Sequence, residues 1–256
     1  MLTIERRQEI VSLLTTKSFF RLNELAQKLN ASISTIRRDI NTLQEEGVVQ
    51  RTHGGVVFLG ERNALPYFHD RQTVCAEEKK QIAQFAATLV EDGETVIIDG
   101  GTTPYQVAVA LKNKNIQVVT NSLPVANLFA DSRNVQLVST GGVLHPGTGV
   151  YLGPYANNTL KNIRAQKAFM GVAGITGEGL YNSNALVVET EQFMLHAVSE
   201  VYVVADYTKF GRHALAFLCD FTLVTGIITV QPPTEEKQKT LNEVEAKGVS
   251  IIYTKR

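Results

Sequence analysis

Apolar side chains recur at helical spacing in two segments near the start of the chain. Over residues 4–15 they form one stripe, and Thr3 precedes this stripe as a candidate N-cap. A second stripe repeats at positions i, i+3, i+4 and i+7, the spacing of one face of an amphipathic helix. Its members are Leu22, Leu25, Ala26 and Leu29. The pattern therefore predicts two short helices that each bury one face.

A third helix is predicted between Ser32, a natural N-cap, and Gly47, which suits the position just after a helix. Its inward face is predicted to consist of Ile33, Ile36, Ile40 and Leu43. Two β-rich runs over 48–52 and 56–58 then flank the turn His53-Gly54-Gly55, which predicts a β-hairpin. Three short helices followed by such a hairpin are typical of a winged helix-turn-helix.

The outer face of the third predicted helix is polar and carries two adjacent arginines. Arginine binds phosphate or guanine through two hydrogen bonds and asparagine can read adenine, so this face suits the major groove of DNA. The candidate DNA-binding residues are Ser32, Ser34, Thr35, Arg37, Arg38, Asn41, Arg51 and His53. The plainer alternative is that Arg37 and Arg38 belong to a solvated helix face, but their place in the three-helix and wing pattern favours DNA. We expect Asp39, Glu45 and Glu46 to be surface or ion-pair groups.

The rest of the chain alternates between strand-like and helix-like segments. Residues 59–76 lack clean periodicity and predict a linker between a DNA-binding domain over 1–58 and an effector-sensing domain over 77–256. Apolar runs predict strands over 95–99, 116–120, 135–140, 167–175, 201–206, 221–230 and 249–254. Helices are predicted over 77–91, 104–112, 123–130, 154–163, 188–199 and 234–247. This alternation indicates a largely parallel, Rossmann-like sheet with helices on both faces, so the predicted fold class is α/β with an N-terminal winged helix-turn-helix.

Polar loops follow four of the predicted strands. Ligands of open α/β sheets bind beyond the carboxyl ends of the strands, and glycine-rich loops that open into a helix bind anions through free N–H groups. The candidate effector-binding residues in these loops are Asp99, Gly100, Gly101, Thr102, Thr103, Thr120, Asn121, Ser122, Gly141, Gly142, Asp206 and Lys209. We expect Lys209 to pair with a phosphate or a sugar oxygen, and Asp99 and Asp206 to accept from hydroxyls or to orient Lys209. Turn glycines, capping threonines and a plain strand-end role for Asp206 are the alternative, but four such loops favour a phosphate-bearing ligand.

Composition and charge exclude some classes of protein but do not identify a function. The chain has 256 residues, with 25 basic and 25 acidic side chains, and residues 1–60 carry 8 basic against 6 acidic. This asymmetry has the sign expected for DNA binding but is too small to decide the matter. The cysteines, Cys75 and Cys219, predict two reduced structural thiols, and the scattered histidines predict no metal site. Without an apolar run of membrane length or a secretory signal, we expect a cytoplasmic protein with no membrane partner and no cofactor.

Two motifs in the N-terminal segment carry a family resemblance. The stretch 32–40, with its Thr-Ile-Arg-Arg-Asp core, and the stretch 51–55 resemble the recognition helix and wing of DeoR-family bacterial transcriptional regulators. The resemblance continues in the segments 99–103, 120–122, 141–142, 171–175 and 206–210. These segments are similar to the sugar-phosphate sensor domain of that family, whose fold is like that of ribose-5-phosphate isomerase and the CoA transferases. The resemblance implies a phosphorylated sugar or a related metabolite as effector. Gln166 and the lysine-free helix 188–199 depart from the family pattern.

Three functions compete at this stage. The first is a transcriptional regulator, most simply a repressor of a carbohydrate-metabolism operon, which binds operator DNA as a dimer or tetramer and is controlled by the effector. The second is an aldose–ketose isomerase with Lys209 as electrophile, although no convincing carboxylate base is found near 171–180. The third is an interaction scaffold with a vestigial pocket. The DNA-binding motifs favour the regulator over an enzyme.

Overall fold

The structure is a computed structural model that describes residues 2–16, 19–45, 48–52, 55–58 and 68–254. The chain divides into two compact units, Met1–Leu65 and Pro66–Arg256. His53 and residues 59–67 of the predicted linker lie outside the described residues. Residues 68–72 of that linker form a short helix. The predicted domain boundaries at residues 58 and 76 stay predictions.

The first unit contains the three predicted helices and the predicted hairpin. Its elements are α1 (Thr3–Thr16), β1 (Phe19–Phe20), α2 (Leu22–Lys28), α3 (Ile33–Glu45), β2 (Val49–Thr52) and β3 (Gly55–Phe58). The strands form an antiparallel sheet in the order β1-β3-β2, of which β1 was not predicted because two residues carry no periodicity.

The core of the first unit is formed by one face of each helix and by the sheet. Ile10 of α1, Leu25 of α2 and Ile36 and Ile40 of α3 are all fully buried. The prediction that Ile33 faces inward is wrong, since this side chain is 43% exposed. Ile33 lies on the first turn of α3 and at the edge of its apolar stripe, so it projects past the packed face.

The second unit is built from seven α-helices, one 3₁₀-helix (Tyr207–Lys209) and twelve strands among the described residues. The helices are α4 (Phe68–Gln72), α5 (Ala76–Thr88), α6 (Thr102–Ala110), α7 (Leu123–Phe129), α8 (Pro154–Lys161), α9 (Ala185–His196) and α10 (Glu235–Glu245). The strands are β4 (Thr95–Ile98), β5 (Ile116–Thr120), β6 (Val135–Ser139), β7 (Val143–His145), β8 (Val150–Leu152), β9 (Ala165–Met170), β10 (Gly174–Thr176), β11 (Gly179–Asn182), β12 (Val198–Val204), β13 (Ala216–Cys219), β14 (Gly226–Thr229) and β15 (Ser250–Tyr253).

Seven strands form the central sheet of this unit, in the order β15-β14-β12-β9-β4-β5-β6, and every neighbouring pair is parallel. Alternate residues of β4 enter two different apolar clusters, Ile97 on one face and Val96 and Ile98 on the other. Helices therefore cover both faces, and the predicted α/β class with an N-terminal helix-turn-helix is confirmed.

The sequence prediction fails where strands are short or leave the main sheet. The single predicted strand 167–175 is two strands, β9 and β10, because the chain leaves the parallel sheet at Gly171. A small antiparallel sheet, β10-β11-β13, and the hairpin β7-β8 were also not predicted. Their strands of three or four residues are too short to show alternation. None of the helices in the described part of the chain is long and apolar enough to span a bilayer.

Candidate functional site

The outer face of α3 is a polar surface in the first unit. Ser32, Ser34, Arg37, Arg38 and Asn41 are exposed, and Thr35 is partly exposed. The Ser32 hydroxyl accepts from the Thr35 backbone N–H at 3.1 Å, so it caps α3 as predicted. Within the described residues, neither Arg37 nor Arg38 has a side-chain hydrogen bond or an ion pair. Both guanidinium groups are thus unpaired donors on a solvent-facing helix.

The wing is tied to this helix by Arg51. Its guanidinium donates to Asn41 Oδ1 at 2.9 Å, and its backbone N–H donates to Gln44 Oε1 at 3.0 Å. Two predicted DNA-binding residues, one from α3 and one from β2, are therefore brought side by side. Both remain exposed, so the pair forms a continuous polar edge between the helix and the wing.

A buried carboxylate on the opposite side of α3 holds the helix against α1. Asp39 is 1% exposed and accepts from Arg6 Nε at 2.6 Å and from Arg7 Nε at 3.3 Å. We expected Asp39 to be a surface or ion-pair group, and it forms an ion pair in the interior. Asp39 directly follows Arg37 and Arg38 in the sequence. Because successive residues of a helix point in different directions around its axis, the Asp39 side chain lies on the inner face and the two arginines lie on the outer face.

In the second unit, the loops after four neighbouring strands converge at the carboxyl edge of the sheet. Because β12, β9, β4 and β5 are adjacent, the segments that follow them lie side by side. Asp99 follows β4, and its Oδ2 accepts from the backbone N–H of Gly171, which follows β9, at 3.0 Å. Asn121 follows β5 and Asp206 follows β12. We call this edge the crevice.

Positive charges gather at one side of the crevice. Lys79 of α5 is 3% exposed, and its Nζ donates to the carbonyls of Arg71 at 2.7 Å and Val74 at 2.6 Å. These bonds leave one of its three ammonium donors without a partner among the described residues. Burial lowers the pKa of Lys79 to about 8, although the charge of Asp206 acts in the opposite direction. Burial also lowers the pKa of Lys209, although the charge of Asp206 again acts in the opposite direction.

Asp206 is the anion at the centre of these cations. It is fully buried, and its Oδ1 accepts from the Thr208 backbone N–H at 2.9 Å and from the Thr208 hydroxyl. Burial opposes its ionisation, but the charges of Lys209 and Lys79 and the bonds from Thr208 outweigh burial and lower its pKa. Its Oδ2 has no hydrogen-bond partner among the described residues. Lys209 is near enough to lower the pKa of Asp206, but no side-chain hydrogen bond or ion pair joins the two among the described residues, so an orienting role for Asp206 stays a prediction.

Two carboxyl groups meet on the other side of the crevice. Glu191 of α9 is 1% exposed, contacts Asp99 within hydrogen-bond range, and accepts from Asn182 Nδ2 through Oε1 at 2.6 Å. Burial raises the pKa of Glu191, and the charge of Asp99 raises it further. Burial likewise raises the pKa of Asp99, against the N–H donors of Gly171 and Gly100. Glu191 was not among the predicted site residues, because it reaches Asp99 only through the packing of α9.

Some of the predicted effector-binding residues use their side-chain hydrogen bonds to hold the fold, whereas others have polar side-chain atoms with no partner in the described structure. Thr120 donates to the Ile98 carbonyl at 2.6 Å, and Ser122 accepts from the Val125 N–H as the N-cap of α7, so both serve the fold. Asn121 is fully buried, and both polar atoms of its side chain lack a partner in the described structure. Thr102 and Thr103 are buried in the first turn of α6.

Two of the four predicted glycines leave room for the β7-β8 hairpin. Gly101 is the N-cap of α6 with φ of +116°, a conformation that favours glycine. A Cβ at Gly100 would lie 2.2 Å from Val150 Cγ1, and a Cβ at Gly142 would lie 2.7 Å from the Leu152 carbonyl. Gly141 has φ of +63° and open space around it. Glycine is therefore needed in two of these loops because the β7-β8 hairpin packs on them.

The β7-β8 hairpin covers the crevice loops. Tyr151 donates from its backbone N–H to the Asn121 carbonyl at 2.7 Å, and Leu123 donates to the Gly149 carbonyl at 2.8 Å. Val150 and Leu152 of β8 also pack on Val187 of α9. This cover contributes to the burial of Asn121. Two open cavities of about 570 and 370 Å³ lie elsewhere in the unit, at Thr176–Glu178 and at Leu160–Arg164.

Gln166, a departure from the family pattern, lies at the opposite edge of the sheet. It belongs to the start of β9, is exposed, and accepts from the Thr95 N–H at 2.8 Å. Its neighbour Lys167 pairs with Glu94. The substitution therefore stands at the amino end of the parallel strands, whereas the crevice is at their carboxyl end. Among the described residues, no group of three His, Cys, Asp or Glu side chains is arranged to hold a metal ion.

Comparison with known proteins places this geometry in a family. The family model described as DeoR-like helix-turn-helix domain matches residues 6–62, and that described as DeoR C terminal sensor domain matches residues 74–231. A ribose 5-phosphate isomerase A from Methanocaldococcus jannaschii aligns with 53% of this chain and 54% of its own, with 17% identity and a TM-score of 0.39. That partial likeness carries no argument about activity.

Curated relatives cover nearly the full length. The chain is 34% identical to the HTH-type transcriptional regulator IolR of Bacillus subtilis, over 93% of this chain and 95% of the relative. It is 31% identical to the glycerol-3-phosphate regulon repressor of Escherichia coli over the same shares, and 32% identical to the lactose phosphotransferase system repressor of Lactococcus lactis over 81% and 83%. All three are named as regulators or repressors, which favours the predicted regulator over the isomerase. The chain belongs to the DeoR family of transcriptional regulators, with an N-terminal helix-turn-helix and a C-terminal sensor domain.

Proposed function

We propose that this protein represses an operon of carbohydrate metabolism and that a phosphorylated sugar or a related metabolite controls it. Two of the relatives described above are named repressors, one of a glycerol-3-phosphate regulon and one of a lactose phosphotransferase system. The observation that carries the effector half of the proposal is the group of cations around Asp206 in the crevice, of which Lys79 is buried and Lys209 is partly buried. Asp206 is one anion beside Lys79 and Lys209, so the positive charge that it does not neutralise favours an anionic ligand.

Operator DNA is bound by the outer face of α3 and by the wing. Arg37 and Arg38 are exposed and have no side-chain partner in the described part of the unit, which suits contacts to phosphates or to guanine edges. Arg51 and Asn41 extend this surface from the wing to the helix. Ser32, Ser34 and Thr35 lie at the N-terminal end of α3, the part of a recognition helix that contacts base edges.

The DNA interface is tested by single alanine substitutions of Arg37 and Arg38, with Arg133→Ala as a control that removes the same charge from an exposed loop of the second unit. Operator affinity is measured across a salt series. Loss of a phosphate contact lowers the magnitude of the slope of log K against log salt by about 1, and loss of a base contact costs about 1–3 kcal/mol on the cognate sequence alone. An unchanged affinity and slope in both arginine variants would remove α3 from the interface.

The effector binds in the crevice with its phosphate against the cations. The backbone N–H groups in the first turn of α6, which follows Gly101, add donors for the same anion. Lys79 and Lys209 supply positive charge, and Asn121 offers one donor and one acceptor that suit a sugar hydroxyl. Because the β7-β8 hairpin covers Asn121, the ligand enters when this hairpin opens.

Effector binding is tested by calorimetric titration of the full chain with a panel of hexose and pentose phosphates, and with inorganic phosphate. Binding that is lost in Lys79→Met and Lys209→Ala supports the crevice, and Lys112→Ala, an exposed lysine at the end of α6, is the matched control. A native-state ligand also raises the thermal midpoint by mass action. Failure of every phosphorylated sugar to bind would refute the sensor function.

Control of DNA binding requires the effector to prefer one arrangement of the molecule, since equal affinity for two states shifts nothing. We further propose that the protein is a homodimer or homotetramer, because one small winged helix offers too little specific contact area. The half-sites of its operator then lie about one helical turn apart or at a multiple of that distance. A regulator of transcription acts where the chromosome lies, so we assign it to the cytoplasm.

A further inference from the structure

A long segment of the second unit carries no charged side chain. Residues 134–160, a run of 27, contain no Asp, Glu, Lys or Arg. Charged residues make up 20% of the chain, so a run of this length would carry about five on average. The run includes the β7-β8 hairpin and nearly all of α8. Burial does not explain the absence of charge, because Val143 is 69% exposed and Tyr155 is 77% exposed.

A second uncharged segment, residues 179–188, brings the start of α9 to the same place. Val150 and Leu152 of the hairpin pack on Val187 of α9. Leu186 precedes Val187 in the chain and is 55% exposed, so it lies on the surface beside this buried contact. The exposed part of the second segment is therefore next to the exposed part of the first.

Three exposed apolar side chains surround this contact between the hairpin and α9. Val143 is the cross-strand partner of Leu152, so the two side chains lie on the same face of the hairpin. A Cβ at Gly142 would lie 3.3 Å from the Cβ of Ala156, so the start of β7 lies against the start of α8. We call the surface that these elements share the uncharged face, and its exposed apolar members are Val143, Tyr155 and Leu186.

An exposed apolar face without charges is typical of a contact between proteins. Single exposed apolar side chains are common, but neighbouring ones mark binding surfaces, and the core of an interface is depleted in charge and enriched in tyrosine. The lack of charge also favours one kind of partner. When two identical copies associate about a two-fold axis, the same surface meets itself, so a charged residue near the axis faces a like charge. A face without charge avoids this repulsion, whereas a face for an acidic or basic partner would carry the opposite charge.

Resting on the homodimer or homotetramer of the proposed function, we propose that the uncharged face is the surface that binds a second copy of this chain. Glu189 of α9 is a charged residue close to this face, and its Oε1 accepts from Asn157 Nδ2 at 3.0 Å. The hairpin belongs both to this interface and to the cover of the crevice, where the Tyr151 N–H donates to the Asn121 carbonyl. Association of the copies and effector binding therefore involve the same structural element, and by linkage each affects the other.

The proposal is tested by analytical ultracentrifugation of the full chain, without DNA, over a range of concentrations. Tyr155→Glu and Leu186→Glu each place a charge within the uncharged face, and a two-fold interface contains each substitution twice. We expect either variant to raise the dissociation constant of the association at least about 100-fold. Both side chains are exposed, so the thermal midpoint should stay close to that of the wild type. Leu223→Glu is the matched control, since Leu223 is 40% exposed and precedes β14, at the amino end of the parallel strands.

The outcomes separate this surface from the oligomer of the proposed function. If a glutamate variant does not fold, Tyr155→Gln or Leu186→Gln takes its place and should weaken the association about tenfold. A wild type that associates while the folded variants associate equally well overturns the uncharged face and leaves the proposed oligomer in place. An equal loss of association in Leu223→Glu also overturns it, because the effect would not depend on position. A wild type that stays monomeric at every concentration overturns both proposals.

Discussion

The lowered pKa of Lys79 predicts how effector affinity depends on pH. Its ammonium group is buried against the Arg71 and Val74 carbonyls, and burial lowers its pKa to about 8. A phosphate in the crevice binds the charged form of Lys79. Raising the pH through the pKa of Lys79 therefore removes a charge from the site before the ligand arrives, whereas a sugar phosphate is already a dianion above about pH 7.

The expected size of the effect follows from the pKa. With a value of about 8, Lys79 is roughly nine-tenths charged at about pH 7 and roughly one-tenth charged at about pH 9. If the neutral amine binds phosphate weakly, Kd increases about tenfold between these two conditions. The free protein follows the opposite trend. Because the unfolded state has a pKa of 10.5 for this lysine, charged Lys79 destabilises the fold at low pH and the penalty is relieved as pH rises from about 8 to about 10.5.

The assay is calorimetric titration at several pH values in buffers of different ionisation enthalpy, which reports proton uptake on binding. Lys79→Arg keeps the charge throughout and is expected to give a flat profile. Burial also lowers the pKa of Lys209, so Lys209→Arg is titrated in parallel. A tenfold decline that persists in Lys79→Arg but disappears in Lys209→Arg would assign the titration to Lys209. An affinity for the wild type that does not change over this range would refute the phosphate contact to Lys79.

Three further substitutions test the packing around the two sites. Asp39→Ala removes the buried carboxylate that pairs with Arg6. We expect α3 to lose about 2–3 kcal/mol of protection in amide hydrogen exchange. Unchanged exchange would show that the ion pair does not hold α3. Gly142→Ala forces a Cβ to within 2.7 Å of the Leu152 carbonyl at a φ of +121°, so thermal unfolding should show a loss of about 1–3 kcal/mol, and no loss would mean that the hairpin packs differently. Because the pKa of Glu191 is raised in the fold, wild-type stability declines as pH rises above the ordinary carboxyl range, so the gain in thermal midpoint of Glu191→Gln over the wild type should grow with pH; a difference that does not change with pH would contradict the carboxyl pair.

The long elements of the fold follow from the sequence because their periods are unambiguous. The predicted helix over 123–130 is observed at Leu123–Phe129, and the predicted strand 116–120 at Ile116–Thr120. The hairpin of Val143–His145 and Val150–Leu152 was not predictable in this way, since three residues per strand carry no period. Gly100 and Gly142 in the adjacent loops leave room for this hairpin, whereas the sequence pattern had suggested that they leave room for a ligand.

The candidate site was predictable only in part, for a topological reason. Residues that directly follow strands, such as Asp99 and Asp206, reach the crevice by the parallel order of the sheet, and a linear pattern of strands reveals them. Lys79 and Glu191 reach the same place from the faces of α5 and α9. Their positions depend on how the helices pack over the sheet, which the order of residues along the chain does not specify.

The unpaired polar atoms of the crevice connect its stability to its function. The side-chain amide of Asn121 and Oδ2 of Asp206 have no hydrogen-bond partner among the described residues, so each is buried at a cost to the free protein. A ligand that supplies those partners recovers the cost only in the state in which the hairpin is closed over it. Such a ligand has the differential affinity that a shift between states requires, so the same buried atoms that weaken the free fold can drive the regulatory change.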